Sequence, residues 1–79
     1  MWYIYILLCS DGSFYTGISN NVEKRFKDHV SGKGGAYTRS HKPVKIIFKE
    51  KCTDKSSALK REAQIKKWTK TKKEALVKG

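Results

Sequence analysis

The sequence predicts an α/β (α+β) fold: a three-stranded, mainly antiparallel sheet flanked by about three helices, in a single domain over residues 1–79. Three observations carry this. Aromatic and β-branched residues crowd into Trp2–Leu8 and Phe14–Ile18 around an Asp11-Gly12 turn, which is a hairpin signature. A further β-branched run, Val44–Cys52, follows much later and reads as the third strand. Between and after these lie segments that open on good helix caps and carry apolar residues at helical spacing.

The hairpin turn decides which residues share a face. A two-residue Asp-Gly turn would oppose Leu8 with Tyr15 and send Tyr5 and Tyr15 to opposite faces, because strand side chains alternate. A type I turn with Gly12 in the left-handed region, with Ser10-Asp11-Gly12 as the loop, opposes Leu7 with Tyr15 and Tyr5 with Gly17. We predict this second register. It puts both tyrosines on one face, leaves open space at Gly17 beside the Tyr5 ring, and assigns Ile4, Ile6, Leu8, Phe14, Thr16 and Ile18 to the core face.

Asn20 or Asn21 can cap the first helix, with Glu23 three residues after Asn20 as in a capping box, and Ser31-Gly32 stops it after about Val30. Val22, Phe26 and Val30 form its apolar stripe. Arg25 and His29, four apart, project side by side at the boundary between that stripe and solvent. Residues 32–43 show no periodicity and read as a mobile surface loop whose Lys33, Arg39 and Lys42 suit phosphate. Thr53 or Asp54 caps a helix through Trp68, with Ala58, Leu59, Ala63, Ile65 and Trp68 as its apolar positions. Thr69 or Thr71 starts a short last helix, Thr71 to Glu74 being itself a capping box.

Composition narrows the function classes. Eighteen Lys and Arg against seven Asp and Glu give a formal charge of +11, which points to a polyanionic partner, nucleic acid before an anionic membrane surface. The only long apolar run, Trp2–Cys9, spans eight residues, far short of the roughly 20 that a membrane helix needs, and no basic segment precedes it as in a signal peptide. A cytoplasmic protein is expected. Cys9 and Cys52 lack metal-site spacing and are read as reduced core residues.

Several residues carry potential chemistry, each with an ordinary alternative. Glu62 falls among the apolar positions of its helix, where a carboxylate needs a cation, a metal or hydrogen bonds; it could equally be a surface residue paired with Lys66. Arg25 could be one solvated cation of a basic helix, and His29 could simply suit the C-terminal dipole of its helix. Tyr5 and Tyr15 could be ordinary strand aromatics. Tyr37 could stack on an unpaired base.

Taken together these positions form a pattern. The chain resembles the GIY-YIG nuclease superfamily, with Tyr3-Ile4-Tyr5 at the first motif and Tyr15-Thr16-Gly17 at the second. The motif tyrosines stand ten residues apart, and Arg25, His29 and Glu62 follow Tyr15 by ten, fourteen and forty-seven. The Gly34-Gly35-Ala36-Tyr37-Thr38-Arg39 and Ala58-Leu59-Lys60-Arg61-Glu62 stretches look closest to the small stand-alone bacterial members, a group defined by sequence rather than by a reaction. Those in turn resemble the catalytic subunit of the structure-selective endonuclease that cuts branched DNA. Tyr3 replaces the first motif's glycine and Thr16 the second motif's isoleucine. Ile18 stands where several catalytic members carry a basic residue near the phosphate, a role left to Lys24 or another lysine, and no Asn follows near Trp68.

The resemblance implies a metal-dependent endonuclease hydrolysing DNA phosphodiester bonds, in repair or recombination, in the bacterial cytosol or nucleoid. Its catalytic residues would be Tyr5, Tyr15, Arg25, His29 and Glu62. Glu62 would be the sole protein ligand of one Mg²⁺ or Mn²⁺ ion, expected to be absent unless added. Arg25 would hold the phosphate oxygens. Tyr5 would orient or deprotonate the attacking water, Tyr15 would bond the phosphate or exchange that role, and a phenolate would need a local field from metal or Arg. Lys24, Lys33, Tyr37, Arg39 and Lys42 would contact nucleic acid. No motif for reading base edges is present, so structure selectivity on branched or damaged DNA is expected. The chain is expected to act as a monomer. The alternative is a non-catalytic nucleic-acid-binding module that retains the nuclease fold; a subunit activated by a protein partner is the third reading.

Overall fold

Gly12 takes φ +85° and its N–H donates to the Cys9 carbonyl at 2.9 Å, while the Cys9 N–H donates to the Ser13 carbonyl at 2.9 Å. This is the left-handed turn expected from the Ser10-Asp11-Gly12 loop. It fixes strand β1 (Trp2–Cys9) against β2 (Phe14–Ser19) with Leu7 opposite Tyr15 and Tyr5 opposite Gly17, the predicted register. The structure is a computed structural model that describes residues 1–33 and 36–79, apart from the side chains of Ala36 and Arg39.

Strand β3 (Pro43–Cys52) pairs antiparallel with the other side of β1, so the sheet order is β2-β1-β3 and β1 is central. Its imperfect alternation has a cause in the pairing. Ile6 lies opposite Phe48 but Leu7 lies opposite Ile46, so Ile47 is an extra residue. Such a bulge resets which face the following side chains take. Ile46 accordingly joins the cluster around Leu7, whereas Ile47 and Phe48 join the cluster around Ile6.

Helices cover both faces of the sheet. Helix α1 (Val22–Val30) presents Val22 and Phe26 to Tyr5 and Leu7. Helices α3 (Lys55–Lys66) and α4 (Lys70–Lys78) cover the other face, where Ala58 and Ile65 bury against Ile4 and Ile6 and Leu76 and Val77 pack beside them. A central strand with both faces covered is apolar throughout, which is why Tyr5 and Leu7 are as buried as Ile4 and Ile6. No helix among the described residues is long and apolar enough to cross a membrane.

Helix ends follow the side-chain caps, and they resolve the alternatives. Asn21, not Asn20, accepts from the Lys24 N–H, so Glu23 does not complete a capping box and instead pairs with Lys49 at 3.1 Å. Asp54 caps α3 through the Ser57 N–H, and Thr69 rather than Thr71 caps α4. At the end of α1, Gly32 at φ +85° lets its own N–H reach the His29 carbonyl and the Lys33 N–H reach that of Asp28. This is a Schellman termination.

Several expectations fail, the helix expected to run through Trp68 ending at Lys66 among them. Residues expected as an aperiodic loop include a fourth, short helix, α2 (Ala36–Ser40). Val30 is 45% exposed and does not extend the α1 stripe, because His29 turns inward in its place. Leu59 is 46% exposed and Ala63 is exposed as well, since Ala58 and Ile65 are the residues α3 buries on the sheet. Cys9 and Cys52 are free, as expected, and burial pushes the Cys9 thiol up from its ordinary range.

Candidate active site

Tyr5 leaves the centre of β1 towards α1 and is 1% exposed. Its ring fits there because the residue opposite on β2 is Gly17, whose missing side chain leaves the phenol room. The space expected beside the ring is thus filled by the ring itself: a Cβ on Gly17 would lie 2.6 Å from the Tyr5 hydroxyl.

The phenol is held on two sides. Its oxygen lies 2.9 Å from His29 Nε2, and it receives a hydrogen bond from Arg25, one helical turn earlier on α1. Arg25 is itself steadied by Asp28 at 3.9 Å. The helical spacing therefore aims Arg25 and His29 at the same group, as the i,i+4 relation predicts. His29 does not sit at the solvent boundary, however: it is 1% exposed, and its Nδ1 lies 2.9 Å from the hydroxyl of Thr38 on α2. That contact comes from α2, which sequence periodicity does not predict.

Tyr15 closes the cluster, its ring 6.3 Å from that of Tyr5 and edge-on to His29 at 4.9 Å between centroids. Tyr37 stands against Tyr15 at 5.7 Å and stacks on His41 at 4.2 Å and 7°. Its ring is thus flanked by Tyr15 and His41 while remaining 38% exposed. His41 in turn reaches Asp11 at 3.5 Å and the Tyr37 carbonyl at 3.1 Å, tying α2 to the hairpin turn.

Electrostatics of the cluster favour neutral forms. Burial, then the neighbouring Tyr15, pushes the Tyr5 pKa up from 10.0 to about 12, although Arg25 pulls it down. The field of Arg25, expected to favour a phenolate, is thus outweighed by desolvation. Burial and then the Arg25 charge lower the pKa of His29 below its ordinary 6.5, so the imidazole is neutral at neutral pH.

Glu62 comes to this cluster from a different helix. Its helix α3 packs on the opposite face of the sheet from α1, against β1 and β2. Its charge still raises the Tyr5 pKa, as the smallest of the five causes. The carboxylate is 18% exposed and lies 3.4 Å from Lys66 Nζ, the ordinary i,i+4 pair. Ile18 packs into the core with Ile4 and Ile6. Lys24, Lys33 and Lys42 are exposed, and the Arg39 side chain lies outside the described residues.

Among the described residues no three His, Cys, Asp or Glu side chains gather as a metal cage. The donor set, one half-buried carboxylate open to water, fits Mg²⁺, which retains most of its waters and takes one or two carboxylates. Thr38 and His41 are the members of the cluster that sequence reading missed. The one available signal was the Tyr37-Thr38 pair in a stretch quoted only for its resemblance.

Comparison with known proteins places this geometry. The family model for the GIY-YIG catalytic domain matches residues 1–75. The chain is 47% identical over 79 residues to a UPF0213 protein of Desulfotalea psychrophila, covering 99% of this chain and 72% of that one. It is 52% identical over 77 residues to a UPF0213 protein of Syntrophus aciditrophicus, covering 96% and 88%. The solution NMR structure of a UPF0213 protein from Bacillus halodurans superposes with a TM-score of 0.62 at 42% identity, covering 99% of this chain and 84% of that one.

Proposed function

The chain belongs to the GIY-YIG family, and from that premise we propose that it is a metal-dependent endonuclease hydrolysing DNA phosphodiester bonds, selective for structure rather than sequence, in repair or recombination. The observation that carries this reading is the buried Tyr5 phenol bonded at once to His29 and Arg25, with Tyr15 beside it. A core tyrosine needs one hydrogen-bond partner; this one is supplied with a neutral imidazole and a permanent cation.

The residues divide the work as follows. Arg25 holds the phosphate oxygens and stabilises the charge that gathers on them as water attacks phosphorus. Tyr5 takes the proton of that water. Because its pKa is about 12, its own proton must leave first, and His29 Nε2, neutral and 2.9 Å away, accepts it. The new phenolate then takes the water proton as the new P–O bond forms. The bond to the leaving oxygen breaks, that oxygen takes a proton from solvent, and the imidazolium returns its extra proton to bulk water. Tyr15 bonds the phosphate or exchanges places with Tyr5. Glu62 would hold the Mg²⁺ or Mn²⁺ ion, which when bound supplies positive charge to the phosphate.

Lys24, Lys33, Lys42 and Arg39 are proposed to track the phosphate backbone, the net charge of +11 giving affinity by counterion release. The test is incubation of the protein, as a monomer, with flap, fork and linear DNA with and without Mg²⁺. Mg²⁺-dependent cutting of branched DNA, lost in Tyr5→Phe and Glu62→Ala, is the expected result; cutting that survives in Glu62→Ala overturns the site.

The second reading, a nucleic-acid-binding module without chemistry, is favoured by two observations: Ile18 is a core residue, and Glu62 already has Lys66 as its partner. Salt-sensitive binding to the same DNAs with no cutting under any metal would select it.

A further inference from the structure

His29 is bonded at both ring nitrogens, to Tyr5 through Nε2 and to Thr38 through Nδ1, each at 2.9 Å. A neutral imidazole carries one N–H and one lone pair, so these two contacts allow one of two proton arrangements. Arg25 favours one of them. A guanidinium has donors only, and Arg25 donates to the Tyr5 oxygen. The phenol therefore accepts from Arg25 and turns its own hydrogen towards His29 Nε2, which must supply the lone pair. Nδ1 then carries the ring hydrogen and donates it to Thr38 Oγ1.

We infer that Thr38 is a positioning residue: its hydroxyl, 3% exposed and fixed on α2, holds His29 in the Nδ1-protonated tautomer, so that the Nε2 lone pair faces the Tyr5 proton. Without that acceptor the buried Nδ1–H would be left unbonded, and the other tautomer, in which Nε2–H points at Tyr5, would become the cheaper one. In that tautomer His29 has no lone pair to receive the Tyr5 proton. Thr38 thus touches neither substrate nor reacting atoms, yet decides whether the Tyr5–His29 pair can move a proton. The ordinary alternative is a threonine that merely fills a buried corner, and it predicts the same tautomer in the wild type and in Thr38→Val.

The catalytic consequence rests on the nuclease reading, but the tautomer does not, so the two are tested separately. Long-range ¹H–¹⁵N spectra of the full chain report which nitrogen of His29 carries the proton, with no substrate present. The expected result is the Nδ1–H tautomer in the wild type and in Thr38→Ser, and a shift towards Nε2–H in the isosteric Thr38→Val. A wild-type His29 found as Nε2–H, or a tautomer unmoved in Thr38→Val, overturns the proposal. Should Thr38→Val fail to fold, the same spectrum of Thr38→Ala decides by the same criterion. If the wild type cuts DNA, Thr38→Val lowers kcat about 10- to 100-fold with KM unchanged, and Thr38→Ser restores it. Absence of cutting by the wild type counts against the nuclease reading and leaves the tautomer measurement standing.

Discussion

The Tyr5 hydroxyl lies over Gly17, directly across the strand pair, so closely that a single added methyl would meet the phenol oxygen at 2.6 Å and Cζ at 2.8 Å. The same methyl would approach Tyr15 Cε2 at 3.1 Å. Gly17→Ala is therefore expected to push Tyr5 off His29 rather than be absorbed, because the ring is buried and held. Overpacking of this kind costs about 1–3 kcal/mol. A lowered denaturant midpoint, together with loss of DNA cutting, is the expected outcome; an alanine variant of wild-type stability would mean that the phenol has another resting place.

Thr16 offers the opposite change. It is 3% exposed on the Ile6 side of the sheet, and its Oγ1 has no hydrogen-bond partner among the described residues. A buried hydroxyl left unbonded costs about 1–3 kcal/mol, and an apolar group of the same shape removes that cost. Thr16→Val should raise the thermal midpoint. A lowered midpoint would show that the hydroxyl is satisfied in solution.

Stability should fall on both sides of neutrality for identifiable reasons. The folded-state pKa of His29 is below 6.5, so the unfolded chain binds its proton first as the pH drops. The stabilisation is full above about pH 6.5 and is lost as the pH falls towards the folded-state pKa, with a slope of at most about 1.4 kcal/mol per pH unit. Tyr5 behaves in reverse. With its pKa raised from 10.0 to about 12, its contribution is full below pH 10.0 and is lost between there and about pH 12. Urea titrations across pH should show the acid-side loss shrinking in His29→Gln and the alkaline loss shrinking in Tyr5→Phe. An unchanged profile in either variant would refute that assignment.

Lys24, Lys33 and Lys42 are exposed and carry the proposed phosphate contacts. Each contact removed should reduce the slope of log K against log salt by about 1. The triple Lys→Ala variant is thus expected to lose about 3 from the slope measured on fork DNA, in proportion to the lysines that truly touch phosphate. A slope equal to the wild type's would move the DNA to another face.

Much of this architecture is legible because it is local. The Tyr5–Gly17 register follows from one glycine at a turn, and the paired aim of Arg25 and His29 follows from helical spacing. Cap positions were narrowed to two candidates each, and backbone geometry chose between them at Asn21 and Thr69. The bulge at Ile47 was visible only as a blurred alternation in β3, since a bulge is defined by the partner strand and not by the strand itself.

What the chain alone determined, then, is the hairpin with both tyrosines on one face, the helices that follow it, and the basic charge. Those depend on turn chemistry, capping and composition, which act over a few residues. Tertiary structure decided the rest. It put α1 and α3 on opposite faces, with the charge of Glu62 still felt at Tyr5. It also folded α2 over His29, supplying Thr38 and the burial that keeps the imidazole neutral. Desolvation is set by what packs on a residue from elsewhere in the chain, and no spacing within one helix records it.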